Sequence, residues 1–187
     1  MSIMRYPEGH KEEMRARIVA AAAAALRRDG VSGVSIPDLM KQVGLTHGGF
    51  YGYFRDRDAL VAEAIRVAAE ETSQRVFADE LALDETLRKY LSEAHVAHPE
   101  LGCVVAALGS EGSHQPAAVR RAFAEVARGL VDLVDGKLQD GRAQRAPSDE
   151  ALRLASTMVG AVVLARLVED DALAARLLRA ARASGAG

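Results

Sequence analysis

The sequence predicts an all-α protein, and three observations carry that prediction. Almost half of the 187 residues are hydrophobic while only 4% are aromatic, with Ala and Leu dominant and β-branched runs few. Apolar residues recur at three- and four-residue spacing along most of the chain. Gly and Pro fall between these periodic stretches, where they end helices. A chain of this length makes one or two domains with a real core.

The elements follow in order. From Lys11 to Asp29, Met14, Ile18, Ala22, Ala25 and Leu26 share one helical face, and Gly30 ends the helix. Ser35 is placed to cap a second helix, with Pro37 in its first turn, Leu39, Met40 and Val43 on its apolar side, and Gly44 at its end. Thr46 is placed to cap a third helix, in which Phe50 and Phe54, four apart, point into one small core. Asp56 or Asp58 caps a fourth helix running towards Phe77. Further helices are expected over Asp84–His98, Leu101–Ser110, Pro116–Asp140, Ser148–Val168 and Asp171–Arg182, with a breaker, GRAQRAPS, at 141–148 and a mobile tail at Ala183–Gly187. The stretch STMVGAVVLARLV has too many small and aliphatic side chains for a wet face, so it is buried or packs on a second copy.

Charge and cysteine use narrow the classes. Net charge is −2, with nine Lys/Arg against seven Asp/Glu in residues 1–60 and fifteen against nineteen beyond. A slightly positive amino-terminal part on an acidic remainder fits a reader of DNA joined to something else. The single Cys103 forms no intramolecular disulfide, which fits a reducing compartment. The opening residues are polar and charged, and no apolar run approaches the ~20 residues of a membrane span. A soluble, cytoplasmic protein with no membrane association is expected.

Residues 44–60, GLTHGGFYGYFRDRDAL, carry the chemistry. A helix pressed into the major groove brings its amino-terminal turn close to base edges. Gly48 and Gly49 remove side chains that would hold it away. His47 can donate or accept at a base edge, and Tyr51, four residues on, shares its helical face. Tyr53 sits on a flank where its hydroxyl reaches phosphate. Lys41 and Arg57 add positioning charge, and Ser35 and Thr46 stand at helix starts that suit phosphate oxygens. Packing alone is the competing account of Tyr51, a surface bystander that of His47, and a solvated corner that of Arg55 and Arg57.

The stretch from Gly30 to Ala64, GVSGVSIPDLMKQVGLTHGGFYGYFRDRDALVAEA, resembles the DNA-binding region of TetR-family transcriptional regulators. FYGYFRDRDAL fills the aromatic run that closes the family's recognition helix, followed by a basic residue, an acidic residue and Leu. The resemblance implies an N-terminal three-helix helix-turn-helix domain at 8–56, with the motif itself at about 35–54. It further implies a C-terminal helical ligand-binding and dimerisation domain at 57–187. The expected molecule is a homodimer, joined through its C-terminal helices, that binds a pseudo-palindromic double-stranded operator. A small-molecule effector lowers its DNA affinity. Repression is the commoner outcome, with activation by the same fold and a protein-binding adaptor as alternatives. Two positions depart from the pattern. Pro37 stands where many members carry a base-reading Arg or Lys, and Gly52 removes a phosphate contact between the two aromatics. Lys11, Arg15 or Arg17 is placed to compensate.

GCVVAALGSEGS at 102–113 is similar to a segment in one branch of the family, where Gly-Cys opens a helix. A thiol at a helix amino terminus favours the thiolate, so Cys103 is either a sensor of electrophiles or oxidants or a small buried hydrophobe. His95 and His98, three apart, permit a metal, but no further ligand is set by spacing, so no metal and no cofactor is expected. Phe77, Tyr90, Glu111 and His114 are candidate pocket residues. No nucleophile–base pair, paired carboxylates or phosphate-cradling loop appears, which argues against an enzyme.

Overall fold

A computed structural model describes residues 9–139 and 146–185 and contains nine α-helices and no strand among them. The breaker expected at 141–148 lies in large part outside the described residues. The helices are α1 (His10–Asp29), α2 (Ile36–Gln42), α3 (Arg57–Val76), α4 (Leu83–Tyr90), α5 (Glu93–Ala97), α6 (Val104–Leu108), α7 (Ala117–Leu138), α8 (Asp149–Leu167) and α9 (Asp171–Ala183).

The first half follows its sequence signals closely. Met14, Ile18, Ala22, Ala25 and Leu26 of α1 are all buried, as are Leu39, Met40 and Val43 around α2. The Ser35 side chain accepts from the Asp38 N–H at 3.4 Å, a cap worth about 1 kcal/mol. Gly44 has φ +79°, a left-handed conformation that turns the chain after α2 at little cost. Asp56 caps α3, accepting from the Ala59 N–H at 2.8 Å.

The third helix differs from expectation. His47–Gly52 is a 3-10 helix, and the Thr46 side chain makes no cap bond to it. Three glycines in six residues leave little side-chain packing to favour the wider α-helical turn, and short 3-10 segments tolerate this. Phe50 and Phe54 still reach the core, at 2% and 4% exposure, with stacked rings 5.6 Å apart.

The second half is more broken than its periodicity suggests. The helix expected over Asp84–His98 divides at Leu91, because the Ser92 side chain captures the His95 N–H at 3.2 Å and starts α5 afresh. The one expected over Leu101–Ser110 shrinks to α6, because Pro99–Leu101 makes a 3-10 turn and Gly102 is extended. Ser148 and Asp170 cap α8 and α9. The tail is packed as far as Gly185, where an added Cβ would lie 2.7 Å from Leu87. Arg182 donates to the Leu91 carbonyl at 3.0 Å. Residues 186 and 187 lie outside the described part.

Two apolar clusters result. One gathers α1, α2, the 3-10 segment and the first half of α3 with Val104, Leu108, Val119, Ala122, Phe123 and Val126. The other gathers Phe77, Tyr90, Leu91 and Cys103 with the inner faces of α8 and α9. Helix α3 runs from the first cluster to the edge of the second, about 30 Å at 1.5 Å per residue.

Candidate nucleic-acid interface and adjoining groove

The segment from Lys41 to Gly52 presents Lys41, Thr46, His47, Gly48, Tyr51 and Gly52 to solvent. Tyr51 is 68% exposed, second only to Leu167 among the large apolar side chains of the described residues, and its ring rests edge-on against buried Phe50. A Cβ added at Gly48 or Gly52 would meet nothing within 4 Å, and neither glycine has positive φ. The fold therefore demands glycine at neither place, and the bareness faces outward. At Gly49 a Cβ would only touch Thr46 and Met40, at 3.7 and 3.8 Å.

His47 and Tyr51 do not share a face as an α-helix would have arranged. Residues four apart on a 3-10 helix lie about 120° apart around its axis. Both reach solvent nonetheless, because the segment lies across the surface with only Phe50 turned fully inward. Tyr53 is half-buried against the first cluster.

The basic residues divide sharply. The Arg57 guanidinium donates to the Val34 carbonyl at 3.4 Å and also to the Val31 carbonyl, so it ties the start of α3 to the α1–α2 turn. Arg15 pairs with Glu63 and lies over the Phe54 ring, 4.7 Å from its centroid. Arg55 pairs with its neighbour Asp56 at 2.7 Å, yet 82% of its side chain stays exposed. That pairing and the Ala59 N–H hold the Asp56 carboxyl below its usual range. Lys11, Arg17 and Lys41 stand exposed. Ser35 is half-buried at its cap.

A groove of about 960 Å³ opens between α3 and α7, with Cys103, Val104 and Val105 on one wall. Phe77, Val126, Leu130 and Leu133 give it an apolar floor, and charged groups stand at its edges. Sequence spacing gave no means of ranking these residues, since the groove joins two helices whose facing residues, such as Arg66 and Glu125, lie 59 apart in the chain.

The segment behind the groove is stapled by buried polar groups. Arg27, 4% exposed, donates to the carbonyls of Gly102 at 3.3 Å and Ala68 at 3.4 Å and pairs with Glu71 at 2.6 Å. The single Thr72 hydroxyl proton lies between the Ala68 carbonyl at 3.0 Å and the Gly102 carbonyl at 3.2 Å. Glu111 accepts the Val31 N–H at 3.0 Å, so this segment also grips the α1–α2 turn. Periodicity could not announce Arg27 or Glu111, because a charged side chain in a helical pattern reads as solvated.

Cys103 precedes α6 and is buried at 4% exposure. Its N–H donates to His95 Nε2 at 2.9 Å, and His95 Nδ1 stands 2.6 Å from the Tyr90 carbonyl. Nε2 must accept and Nδ1 must donate, so these bonds select one neutral tautomer. Burial, opposed by the Tyr90 carbonyl and aided by Arg166 and Arg75, lowers the His95 pKa to about 4. His98 Nδ1 lies 3.3 Å from Glu100. Tyr90 is fully buried and its hydroxyl has no partner of hydrogen-bonding geometry, although the Cys103 thiol is close enough to influence it. Burial above all raises the Tyr90 pKa well beyond its usual value. His114 closes a short 3-10 turn and lines no part of the groove.

The outer face of the last helices carries exposed leucines among charged residues. Leu152, Leu164 and Leu167 on α8 and Leu173 on α9 are 40–71% exposed, while Leu154, Met158, Val162 and Leu178 on the inner faces are buried. No helix among the described residues is long and apolar enough to cross a membrane.

Residues 18–64 match the family model described as bacterial regulatory proteins, tetR family. An uncharacterised HTH-type transcriptional regulator of Mycobacterium tuberculosis is 31% identical over 166 residues, covering 83% of this chain and 86% of that protein. A TetR transcriptional regulator of known structure from Chloroflexus aurantiacus is 27% identical, with a TM-score of 0.72 over 94% of this chain and 93% of its own. A TetR-family regulator from Cytophaga hutchinsonii superimposes with a TM-score of 0.78 at 20% identity, covering 97% and 98% of the two chains.

Proposed function

Because the chain belongs to the TetR family of DNA-binding transcriptional regulators, which are not enzymes, we propose that it is a cytoplasmic homodimeric repressor released from a pseudo-palindromic operator by a small molecule. The observation that supports this best is the bare, exposed reading surface. Tyr51 stands 68% exposed beside glycines that the fold does not require. His47, Gly48, Gly49 and Tyr51 approach base edges; Lys41, Thr46 and Tyr53 face phosphates; Ser35 and Arg57 hold the reader's frame. Residues 8–56 form the reader and 57–187 the ligand-binding and dimerisation part.

The exposed leucines of α8 and α9 suit a second copy, whose burial of them offsets the cost of leaving apolar area in water. The α3–α7 groove suits the effector. Helix α3 lines the groove with Arg66, Ala69, Glu70, Thr72 and Ser73, and its first turn holds the α1–α2 turn through Arg57. A ligand that prefers a different α3 position shifts the population away from the spacing two half-sites demand, by as much as its differential affinity allows.

A gel-shift with duplexes selected from a random pool tests the reading. Specific binding should weaken with salt, and Tyr51→Ala should weaken it by about 1–3 kcal/mol. Equal, salt-insensitive indifference to every duplex would end the proposal. A strictly monomeric protein in sedimentation would end the dimer.

A second reading rests on Cys103, which lines the groove wall. An electron-poor alkene entering the groove would add to its sulfur: the S–C bond forms, the C=C π bond breaks, and the thiol proton moves to the neighbouring carbon. Thiol titration of the folded protein decides it, since a Cys103 that reacts as slowly as a packed interior thiol leaves only the non-covalent effector.

A further inference from the structure

We propose that the α3–α7 groove takes a lipophilic organic cation, a bulky apolar body bearing a delocalised or quaternary positive charge. This rests on the groove being the effector site and adds the chemical class of the effector. The volume of about 960 Å³ and the apolar floor call for a bulky apolar body. The edge sets the charge.

Six charged side chains line the groove: Arg66 and Lys137 against Glu70, Asp79, Glu125 and Asp132. Both cations are already engaged. Arg66 Nε donates to Glu125 Oε2 at 2.7 Å. Lys137 Nζ donates to the carbonyls of Ala78 at 2.6 Å, Leu81 at 2.8 Å and Asp79 at 3.4 Å, which occupies all three of its N–H groups. The carboxylates are not matched in the same way. Glu70 accepts only the neutral Gln74 amide at 2.8 Å. Asp79 and Asp132 have no cationic partner among the described residues. An apolar anion would therefore meet uncompensated carboxylates and no unpaired cation among the lining side chains. A neutral body would gain the floor alone, and a cation gains both floor and edge. Because these carboxylates are exposed, each contributes modestly and in a salt-dependent way.

Tetraphenylphosphonium and tetraphenylborate, nearly equal in shape and opposite in charge, make the test, measured by calorimetry on the full chain. The cation should bind about tenfold more tightly or better at low salt, with the preference shrinking as salt rises. Asp79→Asn and Asp132→Asn should each weaken the cation by about 2–5-fold and leave the borate unchanged or improved. Gly129→Phe places a ring in the groove where an added Cβ meets nothing within 4 Å, so the fold tolerates it, and it should weaken both ions. Equal or tighter binding of the borate, or a cation indifferent to both asparagine variants and to Gly129→Phe, overturns the proposal. A cation that binds with the expected preference yet leaves DNA affinity unchanged supports the ligand class and overturns the effector reading instead.

Discussion

Two glycine-rich segments of this chain use the same residue for opposite reasons. At Gly48 and Gly52 an added Cβ meets open space. At Gly102 it would lie 2.5 Å from His95 Cδ2, and at Gly112 3.0 Å from the Phe123 ring. The first segment is bare towards open solvent, the second because the protein's own side chains already fill the space. A glycine with empty surroundings and no positive φ is not required by packing, whereas one whose surroundings are full is.

That contrast can be broken by substitution. Gly102→Ala should be the most damaging change, costing about 3 kcal/mol in urea denaturation, because the half-buried His95 ring is held at both nitrogens and cannot yield. A loss below 1 kcal/mol would show that the ring moves freely. The same ring gives the segment a pH dependence. His95 has a folded pKa of about 4, below its unfolded value, so its neutral form contributes stability that is present above pH ~6.5 and lost as pH falls towards 4. The loss should be on the order of 3 kcal/mol, and His95→Gln should flatten the profile if this ring causes it. Gly48→Leu should leave stability within about 0.5 kcal/mol of the parent while weakening specific DNA binding by roughly 1–3 kcal/mol, a split that internal packing cannot produce. A parallel fall in stability would place Gly48 with Gly102. The smallest effect has the opposite sign. Tyr90→Phe removes a buried hydroxyl without a partner and should stabilise the protein by about 1 kcal/mol, read as a raised denaturation midpoint.

The reader was legible where its signals are local. Ser35, Pro37, Gly44 and Asp56 act within one turn of themselves, so sequence spacing located the boundaries they set. Phe50 and Phe54 were recognisable as core for the same reason. The 3-10 form of His47–Gly52 was not legible, because a one-residue difference in hydrogen-bond spacing leaves no mark in an apolar pattern this short. In the second half, the break at Leu91 was not legible, because a Ser inside an apolar period carries no mark of the backbone N–H its side chain captures. The sequence marks Arg57 as a positioning charge for phosphate, but its place against the Val31 and Val34 carbonyls depends on a turn more than 20 residues earlier.

By itself the amino-acid sequence determined an all-helical chain, the helix-turn-helix with its caps and turn, and the family to which that stretch belongs. Those properties depend on interactions within four or five residues, which spacing records. Only the tertiary structure decided which glycines are empty and which are full, and that Arg27 and Glu111 bind the reader to the segment behind the groove. It alone decided that the cations at the groove's edge are already spent. These depend on what lies across space from a side chain, and two residues brought together by folding leave no fixed interval in the sequence.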